Sequence, residues 1–190
     1  NALYKTRNIG LGFGIGFPVG EQSRIDLRYA LSEDKLYDYT GDSPILIAET
    51  AQGTEGALMT SAIGFTYEFD NRITGLNPDS SFLFRFGQEI GGLGGDTEFL
   101  TSTALAVAER KVLNEEVTVR AIFEGGYVHD LGSTGTRVTD RFFGNGKIRG
   151  FEPNGIGPRD GTDSDALGGN AFVVARFEAD FPLGLPEEYG

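Results

Sequence analysis

Hydrophobic and polar residues alternate with a period of two along most of this chain, and that period belongs to extended strands. In Asn8–Phe17, Ile9, Leu11, Phe13, Ile15 and Phe17 share one face, and Gly10, Gly12, Gly14 and Gly16 share the other. Glycines that alternate this strictly, with no helical pattern behind them, do not make a dinucleotide-binding turn, so the segment reads as a strand. After a short turn at Pro18 to Gln22, Ser23–Tyr39 sets Ile25, Leu27, Tyr29 and Leu31 against Arg24, Asp26 and Arg28. Leu58–Asp70 aligns Ile63, Phe65, Tyr67 and Phe69. Ser80–Ile90 aligns Phe82, Phe84 and Phe86; polar Gln88 falls on that same face after Gly87, which predicts a strand end or a bulge there. Thr97–Val112 aligns Phe99, Thr101, Thr103, Leu105 and Val107. From Val117, Val119, Ala121 and Phe123 oppose Thr118, Arg120 and Glu124. The last strand is Ala171–Phe181, with Ala171, Val173, Ala175, Phe177, Ala179 and Phe181 on one face and Phe172, Val174, Arg176, Glu178 and Asp180 on the other.

The pattern therefore predicts an all-β chain of about seven antiparallel strands. Their connections alternate in length. Pro18–Gln22 and Leu113–Glu116 are tight and Asn71–Asp79 is a turn, whereas Thr40–Ala57, Gly91–Asp96 and His129–Gly169 are loops, the first carrying an apolar patch at Ile45, Leu46 and Ile47. Pro182 to Gly190 closes the chain as a Pro- and Gly-containing turn. Short turns at one end and long loops at the other characterise up-and-down transmembrane barrels. The strands are near or above the ~9–11 residues that a tilted spanning strand needs. A soluble sandwich strand with its charges facing water has the same alternation, so periodicity alone does not choose.

Composition narrows the classes. A length of 190 residues suits one domain, and abundant glycine (29) and phenylalanine (15) fit an all-β chain. A net charge of −12 argues against nonspecific nucleic-acid binding, and the absence of cysteine removes disulfides, thiolate metal sites and thiol nucleophiles. No run of about 18 apolar residues exists for a transmembrane helix, which leaves a strand-built barrel open. No signal-peptide pattern opens the chain, and both ends read as mid-protein, so a piece of a longer chain is expected.

The segment 129–169 has too many glycines for a helix interior and no alternation for a strand; ordered loops of this length are usually functional. At its centre stand Lys147, Ile148, Arg149, Gly150 and Phe151. Arg149 offers a planar fork of donors suited to a carboxylate, Gly150 admits a positive-φ turn, and Phe151 supplies an apolar anchor. His129, Asp130 and Ser133 are near one another in sequence, but a triad needs groups that converge across the fold, and no catalytic residue is assigned. Asp160, Asp163 and Asp165 suit a hard cation by type; their spacing is not that of a calcium-binding helix–loop–helix, and no metal site is assigned.

The stretch IRGFEPNGIGPRD, followed by DALGGNAFVVARFEADFPLG (Asp165 to Gly184), resembles the BamA family of outer-membrane assembly proteins. That family carries a V/I-R-G-F motif at the tip of its sixth extracellular loop, a GGN approach to the twelfth of sixteen strands, and an F-P-L/I-like turn after it. The turn Asp70 to Arg72 resembles the family's turn after its eighth strand. The resemblance spans essentially all of the chain, although only Arg141 to Gly184 is specific, and it maps the chain onto the sixth through twelfth strands.

It implies a partial outer-membrane β-barrel over residues 1–190, seven strands of a sixteen-stranded barrel with one long inward-folding loop. It implies a protein that folds and inserts other β-barrels without nucleotide, cofactor or catalysis. The partners it implies are unfolded outer-membrane clients, assembly lipoproteins and the lipid bilayer. By the same resemblance Ile148, Arg149, Gly150 and Phe151 are the loop motif. The arginine's usual acidic partner lies on strands beyond this segment, with Glu178 and Asp180 as candidates within it. The family's docking domains and its first-to-last-strand seam fall outside the segment, so the isolated piece is expected to be inactive. Its two sheet edges must be paired within the parent barrel, by curling shut, or with another copy. A two-partner-secretion transporter of the same superfamily shares an Arg-Gly-Phe/Tyr loop; the LGGN and FPLG flanks favour assembly over export.

Overall fold

The alternating segments pair in the order in which they occur. The computed structural model describes residues 4–72, 80–113, 116–133 and 135–181. Its elements are β1 (Lys5–Gly20), β2 (Ser23–Tyr37), α1 (Pro44–Thr50), β3 (Ala57–Asp70), β4 (Ser80–Gly91), β5 (Phe99–Val112), β6 (Val117–Asp130), β7 (Arg159–Asp160), β8 (Asp165–Ala166) and β9 (Ala171–Asp180). One seven-stranded antiparallel sheet runs β1-β2-β3-β4-β5-β6-β9, and β7 and β8 form a separate two-stranded piece within the long loop. Sequential antiparallel neighbours without a crossover make an up-and-down meander, as the alternation predicts. Residues 73–79 of the turn expected at Asn71–Asp79, the centre of Leu113–Glu116 and the closing turn after Phe181 lie outside the described residues.

The register sorts every strand into the same two faces. Cross-strand rows such as Leu11–Leu31–Ser61, Phe13–Tyr29–Ile63–Ile90 and Phe82–Ala108–Ala121–Phe177 line one face. Phe65–Phe86, Tyr67–Phe84 and Phe69–Phe82 meet there as diagonal ring pairs at 6.1, 6.5 and 6.2 Å. This face is bare: Phe13 is 73% exposed, Phe177 75% and Val173 86%. Leaving such side chains in water forgoes roughly 1.5–3 kcal/mol each, so the face is built for apolar surroundings. No second sheet covers it among the described residues, and the Phe82, Phe84 and Phe86 row is not the interior of a sandwich.

The opposite face carries most of the strand charges, although Arg7 pairs with Glu33 at 3.0 Å near one end of the apolar face, and it also holds the buried apolar residues of the strands, Leu36, Leu58, Ala62, Leu83, Val128 and Val174. Ion pairs run across it. Arg28 Nε donates to Glu89 at 2.9 Å, Arg85 Nε to Glu68 at 2.7 Å and Arg120 Nε to Glu109 at 2.8 Å. Arg28, Gly64 and Glu89 occupy one row on three successive strands, so the Arg28 side chain lies across β3 where Gly64 offers no Cβ.

Three sequence expectations change. Gln88 marks neither a strand end nor a bulge: β4 keeps its register through Gly87 to Gly91, and the Gln88 amide donates to Ser102 Oγ at 3.1 Å on the apolar face. The Thr40–Ala57 loop contains a helix. Ser43 caps α1 by accepting from Leu46 N at 3.3 Å, with Pro44 at the first helical position. Its Leu46 is fully buried with Leu36, Val138 and Leu167, which rewards a helix too short to persist alone. Finally, β6 continues to Asp130, so His129 belongs to a strand and the long loop starts two residues later than expected.

Candidate functional site

The long loop is fixed at its root before it reaches its tip. Arg137, 2% exposed, donates to the carbonyls of Asp34 (3.0 Å), Gly56 (2.7 Å) and Glu49 (3.5 Å). Glu49 at the end of α1 accepts the Val138 amide on Oε2 and Arg141 Nη2 on Oε1, both at 2.8 Å. Burial pushes the Glu49 carboxyl above its usual range, against the pull of the Val138 amide and of Arg141 and Arg137. Leu36, Leu46, Val138 and Leu167 form an apolar core beneath these polar contacts, joined by Tyr4, Tyr39 and Phe143. The loop between β2 and β3 and the loop between β6 and β9 are therefore one packed unit.

Two of the three acids considered for a cation, Asp160 and Asp165, are used inside this unit, while Asp163 is exposed. Asp160 accepts the Ser43 hydroxyl at 2.7 Å, beside the N-terminus of α1. Asp165, 1% exposed, accepts the Tyr39 hydroxyl on Oδ2, while its Oδ1 has no hydrogen-bond partner. Asp42 accepts the Thr162 amide at 2.9 Å. No group of three or more potential metal ligands converges among the described residues.

From its root the loop passes over the polar face. The LGGN stretch returns it to the sheet: Phe142 and Gly169 exchange both backbone bonds at 2.8 and 2.9 Å, and the Asn170 carbonyl accepts Val128 N at 2.8 Å. Phe142 packs on Phe172 of β9, ring centroids 4.9 Å apart. They occupy the space left by Gly126, where a Cβ would lie 2.5 Å from Phe172 Cε1 and 2.8 Å from Phe142 Cζ. Lys147 sits on this pad, its Nζ 4.6 Å from the Phe172 ring centre and paired with Glu124 of β6.

The motif predicted from sequence lies just beyond. Gly150 takes a φ of +88°, the turn expected of it. Arg149 Nη2 reaches Glu178 Oε1 at 3.3 Å; the Arg149 side chain is 90% exposed, and Glu178 also faces Arg120 Nη1 at 3.4 Å. Asp180, the other candidate acid, lies opposite Thr118 and is not bonded to Arg149. Phe151 does not anchor on the wall: it is 60% exposed and lines, with Ile148 and Ile156, a small hollow within the loop. His129 stacks on Tyr127 on the apolar face, whereas neighbouring Asp130 faces the other way, so the two do not converge.

Sequence reasoning missed the Glu49–Arg137–Arg141 hub and the Lys147–Glu124–Phe172 contact. Ser43 followed by Pro44 and a three-residue apolar run was a readable signal for α1. Nothing in the sequence marks Arg137 as buried, because its acceptors are carbonyls of distant segments.

The model of the Omp85 superfamily domain matches residues 1–189. The chain is 33% identical over 188 residues to outer membrane protein assembly factor BamA of Neorickettsia risticii, covering 99% of this chain and 25% of that protein. It is 30% identical over 164 residues to a SAM50-like protein of Schizosaccharomyces pombe, covering 84% of this chain and 29% of that protein. The crystal structure of BamA from Haemophilus ducreyi lacking POTRA domains 1–3 superposes with a TM-score of 0.82 at 18% identity, over 98% of this chain and 39% of that one, a likeness of fold. The chain thus spans about a quarter of the length of the curated relatives it matches.

Proposed function

The chain belongs to the Omp85 superfamily, and from that premise we propose that it is part of the outer-membrane barrel of an assembly factor that folds and inserts β-barrel proteins. The observation that carries the reading is 33% identity to a BamA protein along 99% of the chain. The sheet supports it physically. One face is unsuited to water, and the other is laced with ion pairs and overlaid by a long loop, the division expected of a wall between lipid and a wet lumen. The short connections then face the periplasm, and α1 with the long loop faces outward.

In this reading the loop is a lumenal plug held against the wall, and Ile148, Arg149, Gly150 and Phe151 are its functional motif. Arg149 pairs with a carboxylate; Glu178 is the acid within reach on this part of the wall, and Asp180 lies two residues on. The clients are unfolded outer-membrane proteins, and assembly lipoproteins and the bilayer are the other partners. The work is non-covalent. A client strand gains backbone hydrogen bonds and lipid contact as it folds, which supplies the driving force without cofactor, metal or catalysis. The free edges of β1 and β9 need partner strands, given by the parent barrel or by a second copy.

The test is Arg149→Ala, beside Arg149→Lys, in the full-length protein, read as insertion of a client barrel into proteoliposomes. Lysine keeps the charge and loses the fork. Slower insertion by the alanine variant is the expected result. Unchanged insertion with unchanged heat-modifiable migration contradicts it, and export of a secreted partner in place of insertion favours a transporter.

A further inference from the structure

Resting on the assembly reading, we infer that Lys147 is the side chain that docks the loop onto this part of the wall, a positioning residue distinct from the arginine of the motif. Three contacts converge on it, and a fourth holds the ring beneath it. Its ammonium pairs with Glu124 of β6, with the two side chains only 27% and 24% exposed. The same nitrogen lies 4.6 Å over the Phe172 ring of β9, within cation–π range. Its carbonyl accepts Arg176 Nη1 of β9 at 3.4 Å. The ring beneath it is itself held by Phe142 in the space that Gly126 leaves open. One loop residue thus bridges two adjacent strands by charge, by ring contact and by backbone.

Arg149 is differently placed. Its single bond is 3.3 Å long, its side chain is 90% exposed, and its acid is shared with Arg120. An exposed pair of that kind holds little. A half-sequestered ammonium between a carboxylate and an aromatic face holds more, because less water competes for it. Lys147 therefore sets the depth and height of the loop, and Arg149 is presented from that anchored base.

The test uses the full-length protein in outer membranes, with two readouts: protease cleavage between Gly144 and Gly157, which reports docking directly, and client insertion in proteoliposomes. Heat-modifiable migration checks that each variant has a folded barrel. Lys147→Glu should raise the cleavage rate about tenfold, the response to losing one such contact. Lys147→Arg and the exchange Lys147→Glu with Glu124→Lys should restore protection. A folded Lys147→Glu barrel with wild-type cleavage overturns the inference, and so does an exchange variant as open as the single one. Opening of the loop with unchanged client insertion leaves the anchor standing and instead refutes the assembly role of the docked loop.

Discussion

Removing the Glu49 carboxylate is the sharpest perturbation of the loop root. Glu49 is 3% exposed and accepts two bonds at 2.8 Å, from the Val138 amide and from Arg141. In Glu49→Ala the Val138 N–H loses its buried partner, a cost of about 1–3 kcal/mol. Arg141 loses its charge partner, and breaking a buried pair from one side costs about 3–5 kcal/mol in all. The two losses share one carboxylate and do not add, so about 3–5 kcal/mol is the expected destabilisation of the unit. Arg137 moderates the effect, since its acceptors are three backbone carbonyls that survive the substitution. Local opening should become easier by roughly two to three and a half powers of ten. Hydrogen exchange of the amides in 136–143 of the full-length protein measures this, with Glu49→Gln expected to fall between because its amide oxygen still accepts from Val138. Exchange in that segment unchanged by Glu49→Ala would refute the hub as the fastening of the loop.

A Cβ at Gly64 would lie 2.9 Å from both Arg28 Cζ and the Gln88 carbonyl oxygen, so Gly64→Val should displace the Arg28–Glu89 bridge and destabilise the barrel by about 1–3 kcal/mol; an unchanged heat-modifiability midpoint would contradict this. The Thr162 hydroxyl and amide hold the Asp42 carboxyl, and the Ser43 hydroxyl holds that of Asp160, below the ordinary carboxylate range. Their contribution is present above the unfolded value of about 3.9 and is lost as pH falls through the folded values. Proteolysis at Gly161–Ser164 should therefore rise on acidification below about pH 4, and a turn that stays equally protected there argues against these contacts. Glu49 and Asp140, raised by burial, run in the opposite sense: what they contribute is lost as pH rises through their raised values. His129→Ala should leave client insertion at the wild-type rate, and a loss of insertion beyond twofold would reopen a chemical role for the one histidine.

The strands were legible because period-two alternation survives in each of them, and because the bilayer leaves no reason to break it. Ile9 to Phe17 or Phe82 to Phe86 name their face without reference to any neighbour. Gln88 misled because polarity on an apolar face reads as an ending, whereas Ser102 on the next strand satisfies its amide. The motif Ile148 to Phe151 was visible as a type of residue cluster, and its inward position was implied by the family resemblance. The contacts that fasten it were not visible. Glu49 meets Arg141 across 92 positions, and Lys147 meets Glu124 across 23, and neither pair has local periodicity to announce it. Phe151, apolar and next to the turn, invited an anchoring role, but the structure spends it in a hollow of the loop and gives the anchoring place to the Phe142–Phe172 pad.

The two-faced wall is the claim on which the rest stands, and β4 offers the most direct measurement of it. Single cysteines at 82, 83, 84, 85 and 86 of the full-length protein in membranes, each spin-labelled, report collision with oxygen from the lipid and with a nickel chelate from water. Strict alternation is expected, with oxygen favoured at Phe82, Phe84 and Phe86 and the aqueous reagent favoured at Leu83 and Arg85. Uniform collision profiles along the five positions, or alternation of the opposite sign, would contradict it.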